Sequence, residues 1–341
     1  MTLSKLIAGG ALATLATFAG MSGAWAETVT LRYSNWLAAS YPLHARAMVP
    51  WMQDIEKATE GRVKFEVSPK VVGTVPGQYD VVAQGLADVV LFLPGYQPGR
   101  FVLMEGLDLP FMGHDSTKRC PATWRTYEKF VAPLNEFKDV VPLSVYCSTS
   151  GQLGTTKVEV TGLDSVKGLK IRSPSEAITS AITLLGATPV SKPASELYEL
   201  LSGGVIDGAI FPLDSMVGFK IDSTLKHVAY MAGGFNSSMV LIGMNKDAWA
   251  KIPEADQKII ADLSGEALAT RVGEMLAVSE TEAREKLIAG GTKVVDVDPA
   301  LVKLFEQAVL PVRQAWVEKA KAAGLQNPEE MLKFLQDEIA K

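Results

Sequence analysis

The strongest constraint on the fold is an alternation of strands and helices that begins near residue 29 and recurs after residue 140, with no flexible linker between the two runs. Alternating or apolar stretches predict strands, and apolar residues at helical spacing predict helices. The first run comprises a strand at 29–34, a helix at 42–59, a strand at 63–68, a helix at 75–85 and a strand at 88–93. This β-α-β-α-β order is typical of an α/β sheet.

The second run has the same character. It comprises predicted strands at 140–146, 168–172, 208–211, 228–231 and 239–244, and predicted helices at 175–185 and 195–203. The length of 341 residues suggests two domains. Because no tether separates the halves, we expect the chain to cross between two lobes more than once and to hold a ligand in the cleft between them.

Helices dominate the C-terminal part of the chain. Residues 254–289 are predicted to be nearly continuous helix, about 54 Å long at 1.5 Å per residue and therefore longer than a small domain. Such a helix either runs across two domains or is broken near Gly265 or Gly273, and the sequence leaves both possibilities open. Further helices are predicted at 299–322 and 328–339.

The first 26 residues are predicted to be a secretory signal peptide. Lys5 is the only charged residue before Glu27, an apolar run covers residues 6–19, and Ala24-Trp25-Ala26 matches a cleavage signature. A membrane anchor is the alternative, but the run is shorter than the roughly 20 residues that span a bilayer. We therefore expect an exported, periplasmic protein.

Two cysteines, Cys120 and Cys147, lie beyond this segment. In an oxidising compartment an even count of two permits one disulfide. Closing a loop of about 27 residues would contribute roughly 3.5 kcal/mol to stability. Two buried free thiols are the alternative.

Composition and motifs argue against several classes of function. Lys and Arg total 33 against 38 Asp and Glu, a net charge of −5, whereas non-specific nucleic-acid binding needs a basic face. Three histidines and two cysteines argue against a multi-ligand metal site, and we predict neither a metal nor another cofactor. The sequence lacks G-x-S-x-G, H-E-x-x-H and phosphate-loop motifs, so we expect no enzymatic activity. We assign His44, shortly after Pro42, a structural role.

Arg172 is the best candidate for recognising a ligand. It ends the short strand at 168–172, on the face opposite Leu169 and Ile171, and ligands of α/β sheets gather at the carboxyl ends of strands. Its planar guanidinium matches a carboxylate in bidentate geometry. On these local features alone, an ordinary solvated arginine remains the simpler interpretation.

Several short segments, taken in order, resemble the extracytoplasmic solute-binding proteins of TRAP transporters, the DctP-like family. These segments are Gly85 with Asp88, Leu109-Pro110-Phe111, Gly162–Arg172, Leu185–Val190, Glu196-Leu197-Tyr198 and Gly204–Gly208. Their order and spacing together carry the resemblance, which extends over essentially the whole chain after residue 26.

The resemblance implies a two-lobed α/β periplasmic binding protein fold with a long helix spanning both lobes. Lobe I would comprise residues 27–149 and about 236–275, and lobe II residues 150–235 and about 276–315, with residues 316–341 packing across the lobes. Arg172 matches the carboxylate-binding arginine of the family, which implies a small organic acid as the ligand. A monomer would close around this acid by hinge motion and deliver it to the TRAP membrane permease subunits.

Two positions depart from the pattern that the resemblance leads us to expect. Many members carry a second arginine twenty residues before the first, where this chain has Gln152, and Asn-Pro where it has Phe211-Pro212. Because this chain lacks that arginine and that asparagine, a second carboxylate on the ligand would have no partner. Burying an unpaired carboxylate costs free energy. We therefore predict a monocarboxylate with an apolar or aromatic body, with Phe211 as an apolar wall or, alternatively, as plain core.

Residues of the first lobe are expected to form the opposite wall. Trp36 and Tyr96 each follow a predicted strand, and their rings are able to stack on a flat ligand; ordinary burial or surface placement is the alternative for both. We expect Asn236 near a crossing between the lobes, donating a hydrogen bond. Asp214 is a weaker candidate, either to order Arg172 or to bind a cation.

Three other classes of function remain open at this point. A binding protein of an ATP-driven importer shares the two-lobe design, but would have a short helix in place of the long one at 254–289. A receptor that presents its ligand to a sensor kinase is not distinguished from a transport protein by sequence. A periplasmic hydrolase or isomerase is disfavoured by the missing motifs.

Overall fold

The computed structural model describes residues 28–341, so the signal peptide predicted at residues 1–26 lies outside the described residues. The strands are β1 (Val29–Ser34), β2 (Val63–Val67), β3 (Val89–Phe92), β4 (Val140–Cys147), β5 (Gln152–Thr155), β6 (Lys170–Ser173), β7 (Thr188–Ser191), β8 (Gly208–Phe211), β9 (His227–Tyr230), β10 (Met239–Asn245) and β11 (Lys293–Asp296). The α-helices are α1 (Val49–Ala58), α2 (Gln78–Ala83), α3 (Ser116–Thr126), α4 (Glu176–Leu184), α5 (Leu197–Ser202), α6 (Leu213–Gly218), α7 (Lys246–Ala250), α8 (Glu254–Leu263), α9 (Gly265–Ala289), α10 (Pro299–Ala322) and α11 (Pro328–Ala340). A π-helical segment, Leu43–Met48, leads directly into α1.

Two mixed sheets form the centres of two lobes, which confirms the predicted two-lobed α/β fold. The sheet of lobe I has the order β2-β1-β3-β10-β4, and that of lobe II the order β11-β9-β5-β8-β6-β7. Strands β1 to β3 are parallel, as are β6 to β8, whereas β10 and β5 run antiparallel to both of their neighbours. Since β5 directly follows β4, and β10 directly follows β9, these antiparallel strands are where the chain enters each sheet from the other lobe.

The two crossing segments, residues 148–151 and 235–238, run side by side. The Gly151 N–H donates to the carbonyl of Asn236 at 2.8 Å, and the Phe235 N–H donates to the carbonyl of Gly151 at 2.9 Å. A Cβ atom on Gly151 would lie 2.3 Å from Oδ1 of Asn236, so this approach requires glycine. The pairing makes the two crossings one double-stranded connection beside the cleft.

The predicted helix at 254–289 is broken, and its longer part also spans both lobes. The break separates α8 from α9 at Gly265, which has a φ of +52°, and α9 is about 37 Å long. Helix α9 packs against α3 and β4 in lobe I and against α6 and β11 in lobe II. Gly273 does not break it: a Cβ there would lie 2.4 Å from the carbonyl oxygen of Ser116, so glycine permits the close packing of α9 on α3.

The last two helices pack on different parts of the molecule. Helix α10 contacts both lobes, because Lys319 forms an ion pair with Glu176 of α4 at 2.5 Å and Trp316 Nε1 donates to the carbonyl of Val102 at 2.8 Å. Helix α11 packs against α3. Within residues 28–341, none of the helices combines the length and the apolar character that crossing a bilayer requires.

A disulfide joins Cys120 of α3 to Cys147 at the end of β4. Both residues are fully buried. The bond ties the helix that packs against α9 to the strand from which the chain leaves lobe I, so it fixes the start of the first crossing segment.

Reduction of this disulfide should lower the free energy of unfolding by about 3.5 kcal/mol, because the 27-residue separation no longer restricts the unfolded chain. Urea unfolding with and without a thiol reductant measures the difference. The matched control is the double variant Cys120→Ala with Cys147→Ala, whose unfolding should not respond to the reductant. Equal unfolding midpoints for the oxidised and reduced wild type would show that the bond contributes nothing.

Candidate ligand-binding site

A cavity lies between the two lobes and has walls from both. The space open to the centre of a water molecule is about 70 Å³, several times the roughly 10–15 Å³ that one water needs. Most of its lining is apolar or aromatic, including Trp36, Leu37, Leu43, Leu91, Leu93 and Val240 from lobe I, Pro174, Ala194, Ile210, Phe211 and Phe219 from lobe II, and Leu276 from α9. Such a surface favours a compact, largely apolar solute.

Arg172 lines this cavity from β6 and is only 1% exposed. Its Nε donates to the carbonyl of Lys192 at 2.8 Å, its Nη1 to the carbonyl of Ile210 at 3.4 Å, and its Nη2 to the hydroxyl of Tyr96 at 3.4 Å. Since a guanidinium has five N–H groups, one N–H on each of Nη1 and Nη2 remains available.

No carboxylate among residues 28–341 lies within 4.0 Å of the Arg172 guanidinium to pair with it. Burial lowers the pKa of Arg172, but an arginine side chain stays charged in proteins. The cavity therefore has an unpaired positive charge in its wall, on a guanidinium, the group that binds a carboxylate in bidentate geometry.

Tyr96 brings a third donor to the same place from the other lobe. It lies in the turn after β3, and its hydroxyl accepts hydrogen bonds from Arg172 and from the Ala194 N–H, the latter at 3.1 Å. The hydroxyl proton has no acceptor within the described part of the chain, so it is available to a ligand atom bound at Arg172. Tyr96 thus joins lobe I to the anion-binding group of lobe II.

Four rings form an aromatic wall, which we define as Trp36, Tyr41, Phe211 and Phe219. The ring centre of Phe211 lies 5.2 Å from Cζ of Arg172 and 5.6 Å from the ring centre of Phe219. Phe219 also meets Tyr41 at 5.4 Å and Trp36 at 6.3 Å, while Trp36 Nε1 donates to the carbonyl of Leu91. The wall therefore joins the two lobes and presents ring faces and edges to the cavity.

Asp214 lines the cavity but does not reach Arg172, contrary to the expectation that it would order that residue. Its Oδ1 accepts from the Thr149 hydroxyl at 2.6 Å, and its Oδ2 accepts from the Tyr41 hydroxyl at 3.5 Å. Burial raises the pKa of Asp214, and the hydrogen bond from Thr149 opposes that rise. The first turn of α6 thus places this carboxyl group beside Thr149 of the crossing segment.

Asn236 lines the cavity at the crossing, as its position suggested, but its amide N–H groups are engaged within the protein. Its Nδ2 donates to Oδ1 of Asp108 at 2.8 Å and to Oγ of Ser238 at 3.1 Å. Burial raises the pKa of Asp108 to about 6, while Asn236 and the charges of Arg119 and Arg172 act to lower it. Asn236 therefore holds a buried carboxyl group near Arg172 rather than offering a free donor.

Gln152 does not line the cavity, which corrects the expectation that it replaces a family arginine at the ligand. It is fully buried in β5, opposite Phe211 of β8. Its Oε1 accepts from the Met231 N–H at 2.7 Å, and its Nε2 donates to the Met231 carbonyl at 3.4 Å. The Gln152 amide thus provides hydrogen-bond partners for the backbone N–H and carbonyl of Met231, just beyond β9.

Sequence reasoning missed four residues that matter here: Tyr41, Asp108, Tyr146 and Phe219. Tyr41 immediately precedes the Pro42 helix start, and Tyr146 ends a predicted strand, so the strand-end rule applied to Trp36 and Tyr96 was a usable signal for Tyr146. Phe219 follows α6, a helix that periodicity did not predict, and Asp108 lies in a short turn. Among the described residues, no group of three or more His, Cys, Asp or Glu side chains has an arrangement able to hold a metal ion.

Two α/β lobes connected by paired crossings, with a buried arginine facing an apolar interlobe cavity, define a periplasmic solute-binding protein. The chain matches the DctP family model, bacterial extracellular solute-binding protein family 7, over residues 33–320, and it belongs to this family.

Solved structures and a curated relative resemble the chain over nearly its full length. A TRAP periplasmic solute-binding protein from Bordetella bronchiseptica, solved with bound (R)-mandelate and (S)-mandelate, is 37% identical with a TM-score of 0.88, covering 92% of this chain and 99% of that one. A TRAP solute-binding protein from Rhodoferax ferrireducens in complex with copurified benzoate is 27% identical with a TM-score of 0.85, covering 92% and 98%. The protein TsaT of Comamonas testosteroni, named an outer membrane transporter protein, is 29% identical over 316 residues, which is 92% of this chain and 93% of TsaT.

These comparisons confirm several predictions made from sequence. The protein is a periplasmic solute-binding protein of the TRAP type and a receptor rather than an enzyme. It binds a small carboxylate ligand and works with a membrane permease.

Replacing Gln152 by leucine should destabilise the protein without changing ligand binding. Leucine leaves the buried N–H of Met231 without its acceptor, while the Met231 carbonyl still accepts from the Gly234 N–H, so the free energy of unfolding should fall by about 2 kcal/mol. The dissociation constant of a bound carboxylate, measured by calorimetry, should stay within about twofold because Gln152 does not line the cavity and its side chain is bonded to Met231. A variant that unfolds like the wild type but loses the ligand would place Gln152 in the binding site after all.

Proposed function

We propose that the protein captures a monocarboxylate with an aromatic or otherwise apolar body and closes around it. The observation that carries this proposal is the guanidinium of Arg172, which is buried, forms no ion pair with the described residues and faces a cavity with apolar and aromatic walls. Burying a charge costs several kcal/mol unless an opposite charge and hydrogen bonds compensate for it. An organic anion provides that compensation.

The donor geometry supports a carboxylate as the anionic group. The free N–H groups on Nη1 and Nη2 of Arg172 lie on the same guanidinium plane and match the two oxygens of a carboxylate. The hydroxyl proton of Tyr96 is a further donor beside them. Closure would remove this carboxylate from water. The attraction between the two charges is then stronger, because the dielectric constant inside the protein is lower than that of water.

The remaining lining supports a single carboxylate. Arg172 is the only arginine or lysine among the described residues that line the cavity. Arg119 is also buried, but it donates to the carbonyls of Gly113 and Leu107 and does not line the cavity. A second carboxylate on the ligand would therefore meet the aromatic wall or the Asp214 carboxyl group, neither of which stabilises a buried anion.

The relatives support an aromatic body. The proteins that hold mandelate and benzoate, at 37% and 27% identity, each bind a monocarboxylate that carries a benzene ring. The four rings of the aromatic wall offer offset or edge-to-face packing to such a ring.

We infer that closure occurs between lobe I (27–149 and about 236–275) and lobe II (150–235 and about 276–315), with residues 316–341 packing across them. Contacts between the lobes support this division: Tyr41 shares a hydrogen bond of 2.8 Å with Ser215, and Tyr96 bonds to Arg172. We further infer that the protein acts as a monomer and binds no nucleic acid, in keeping with its net charge of −5.

Replacing Arg172 by alanine should weaken the binding of benzoate or mandelate by about 2–5 kcal/mol, the range for truncating one partner of a buried charge pair. Arg172→Lys should recover only part of this loss, because lysine keeps the charge but not the planar fork. Isothermal calorimetry measures the dissociation constants, and thermal unfolding verifies that each variant is folded. Arg313→Ala, outside the cavity, is the matched control, and an unchanged dissociation constant in Arg172→Ala would contradict the proposal.

Replacing Phe211 by asparagine should change selectivity rather than abolish binding. The variant should lose affinity for benzoate by about tenfold, because the ring meets a polar amide instead of an aromatic face, while lactate and pyruvate are spared. A thermal-shift screen compares the acids at equal concentration, with Phe334→Asn, away from the cavity, as the control. A greater loss for the small polar acids than for benzoate would overturn the argument for an aromatic body.

A further inference from the structure

One polar side chain of the cavity lining, Tyr146 on the lobe I side, takes no part in the carboxylate site. Tyr146, near the end of β4, lines the cavity and is fully buried. The only hydrogen-bond partner of its hydroxyl among the described residues is Sδ of Met48, at 3.7 Å. A thioether is a weak acceptor, so this buried hydroxyl keeps most of its hydrogen-bonding capacity.

Two further buried polar groups of lobe I are also without partners among the described residues, although they do not line the cavity. The hydroxyl of Tyr33 and Nδ1 of His44 are buried and have no hydrogen-bond partner within residues 28–341. The two rings are stacked, with centres 6.3 Å apart and an interplanar angle of 16°, and His44 lies in the same helical segment as Met48. We call Tyr33, His44, Met48 and Tyr146 the tyrosine cluster.

Such a concentration of unpartnered polar atoms is unusual, because buried polar groups are almost always hydrogen-bonded. Other polar groups of the cavity show the usual behaviour. Trp36 Nε1 donates to the carbonyl of Leu91, Ser148 Oγ donates to the carbonyl of Thr149 at 2.8 Å, and Tyr41 is bonded to Ser215. Tyr146 is therefore distinct among the lining residues in offering a hydroxyl whose only protein partner is a thioether.

The chemistry of the tyrosine cluster favours a neutral oxygen. Burial raises the pKa of Tyr146 well above its usual range, with smaller contributions from Tyr33 and Tyr41, so the hydroxyl is protonated and able to donate. The cluster has no arginine or lysine, so it does not compensate a second anionic group. A ligand hydroxyl accepts from Tyr146 and brings no second charge into the cavity.

We propose that the tyrosine cluster binds a hydroxyl group on the body of the ligand, through direct contact with Tyr146. This inference rests on the proposed function and deepens it: the preferred solutes are hydroxyl-substituted aromatic monocarboxylates. Their carboxylate binds Arg172 on lobe II, and their hydroxyl binds Tyr146 on lobe I. One ligand thereby connects both lobes through polar contacts at two separate points.

The test is a calorimetric comparison of benzoate, 3-hydroxybenzoate and 4-hydroxybenzoate with the 3-fluoro and 4-fluoro analogues, which lack a hydroxyl proton. In the wild type, at least one hydroxybenzoate should bind about tenfold more tightly than both benzoate and its fluoro counterpart, the gain expected of one buried hydrogen bond. In Tyr146→Phe this preference should fall to within about twofold, while the affinity for benzoate itself stays the same.

Two further variants make the result decisive. Met48→Leu, which removes the hydrogen-bond partner of the Tyr146 hydroxyl, should increase the same preference and tests the inference if Tyr146→Phe folds poorly. Tyr127→Phe, a buried tyrosine outside the cavity, is the matched control and should leave every affinity unchanged. The inference is overturned if no hydroxybenzoate exceeds benzoate in the wild type, or if Tyr146→Phe weakens benzoate and hydroxybenzoate equally. Failure of the proposed function has a different signature, in which none of these acids binds or Arg172→Ala has no effect.

Discussion

The structure depends on one buried charge. Arg172 lies in β6 of lobe II, where backbone carbonyls of Lys192 and Ile210 and the hydroxyl of Tyr96 fix its guanidinium. These neutral acceptors orient the group but compensate its charge only in part. Besides Tyr96, the Asp108 carboxyl group gives Arg172 some electrostatic support, and burial raises the pKa of Asp108 to about 6. The remaining compensation is left to the solute, which is what makes the cavity a receptor site for an anion.

The sequence predicted the elements whose apolar pattern is local and missed those whose environment is set by other parts of the chain. Strands β1 and β8 agree with the predicted bounds, because each has alternating or continuous apolar residues. Strand β5, Gln-Leu-Gly-Thr, is buried at all four positions despite its polar residues, and β7 and β11 are short edge strands. Their strand conformation depends on neighbours distant in sequence, so no local period reveals it.

For the site, the rule that ligands gather at the carboxyl ends of strands predicted Arg172, Trp36 and Tyr96, and the family resemblance predicted Phe211; all four line one cavity. The same rule did not reveal which way a polar side chain turns. Gln152 is bonded to Met231 and Asp214 to Thr149, because each has a buried partner close by. Phe219 of lobe II contacts Trp36 and Tyr41 of lobe I. The spacing of residues in a single sequence does not predict such contacts between lobes.

Selectivity in this cavity follows from what each wrong solute would leave unpaired. A neutral aromatic molecule fits the aromatic wall but leaves Arg172 buried without an anion, and a dicarboxylate satisfies Arg172 but places its second charge against rings or against Asp214. Each error leaves a buried charge uncompensated, which is more costly than the loss of one apolar contact. Because Tyr96 and the aromatic wall bring both lobes to the same ligand, these penalties act on closure itself. Under the proposed function, closure is therefore most favourable around a solute that has one anionic end and an apolar body.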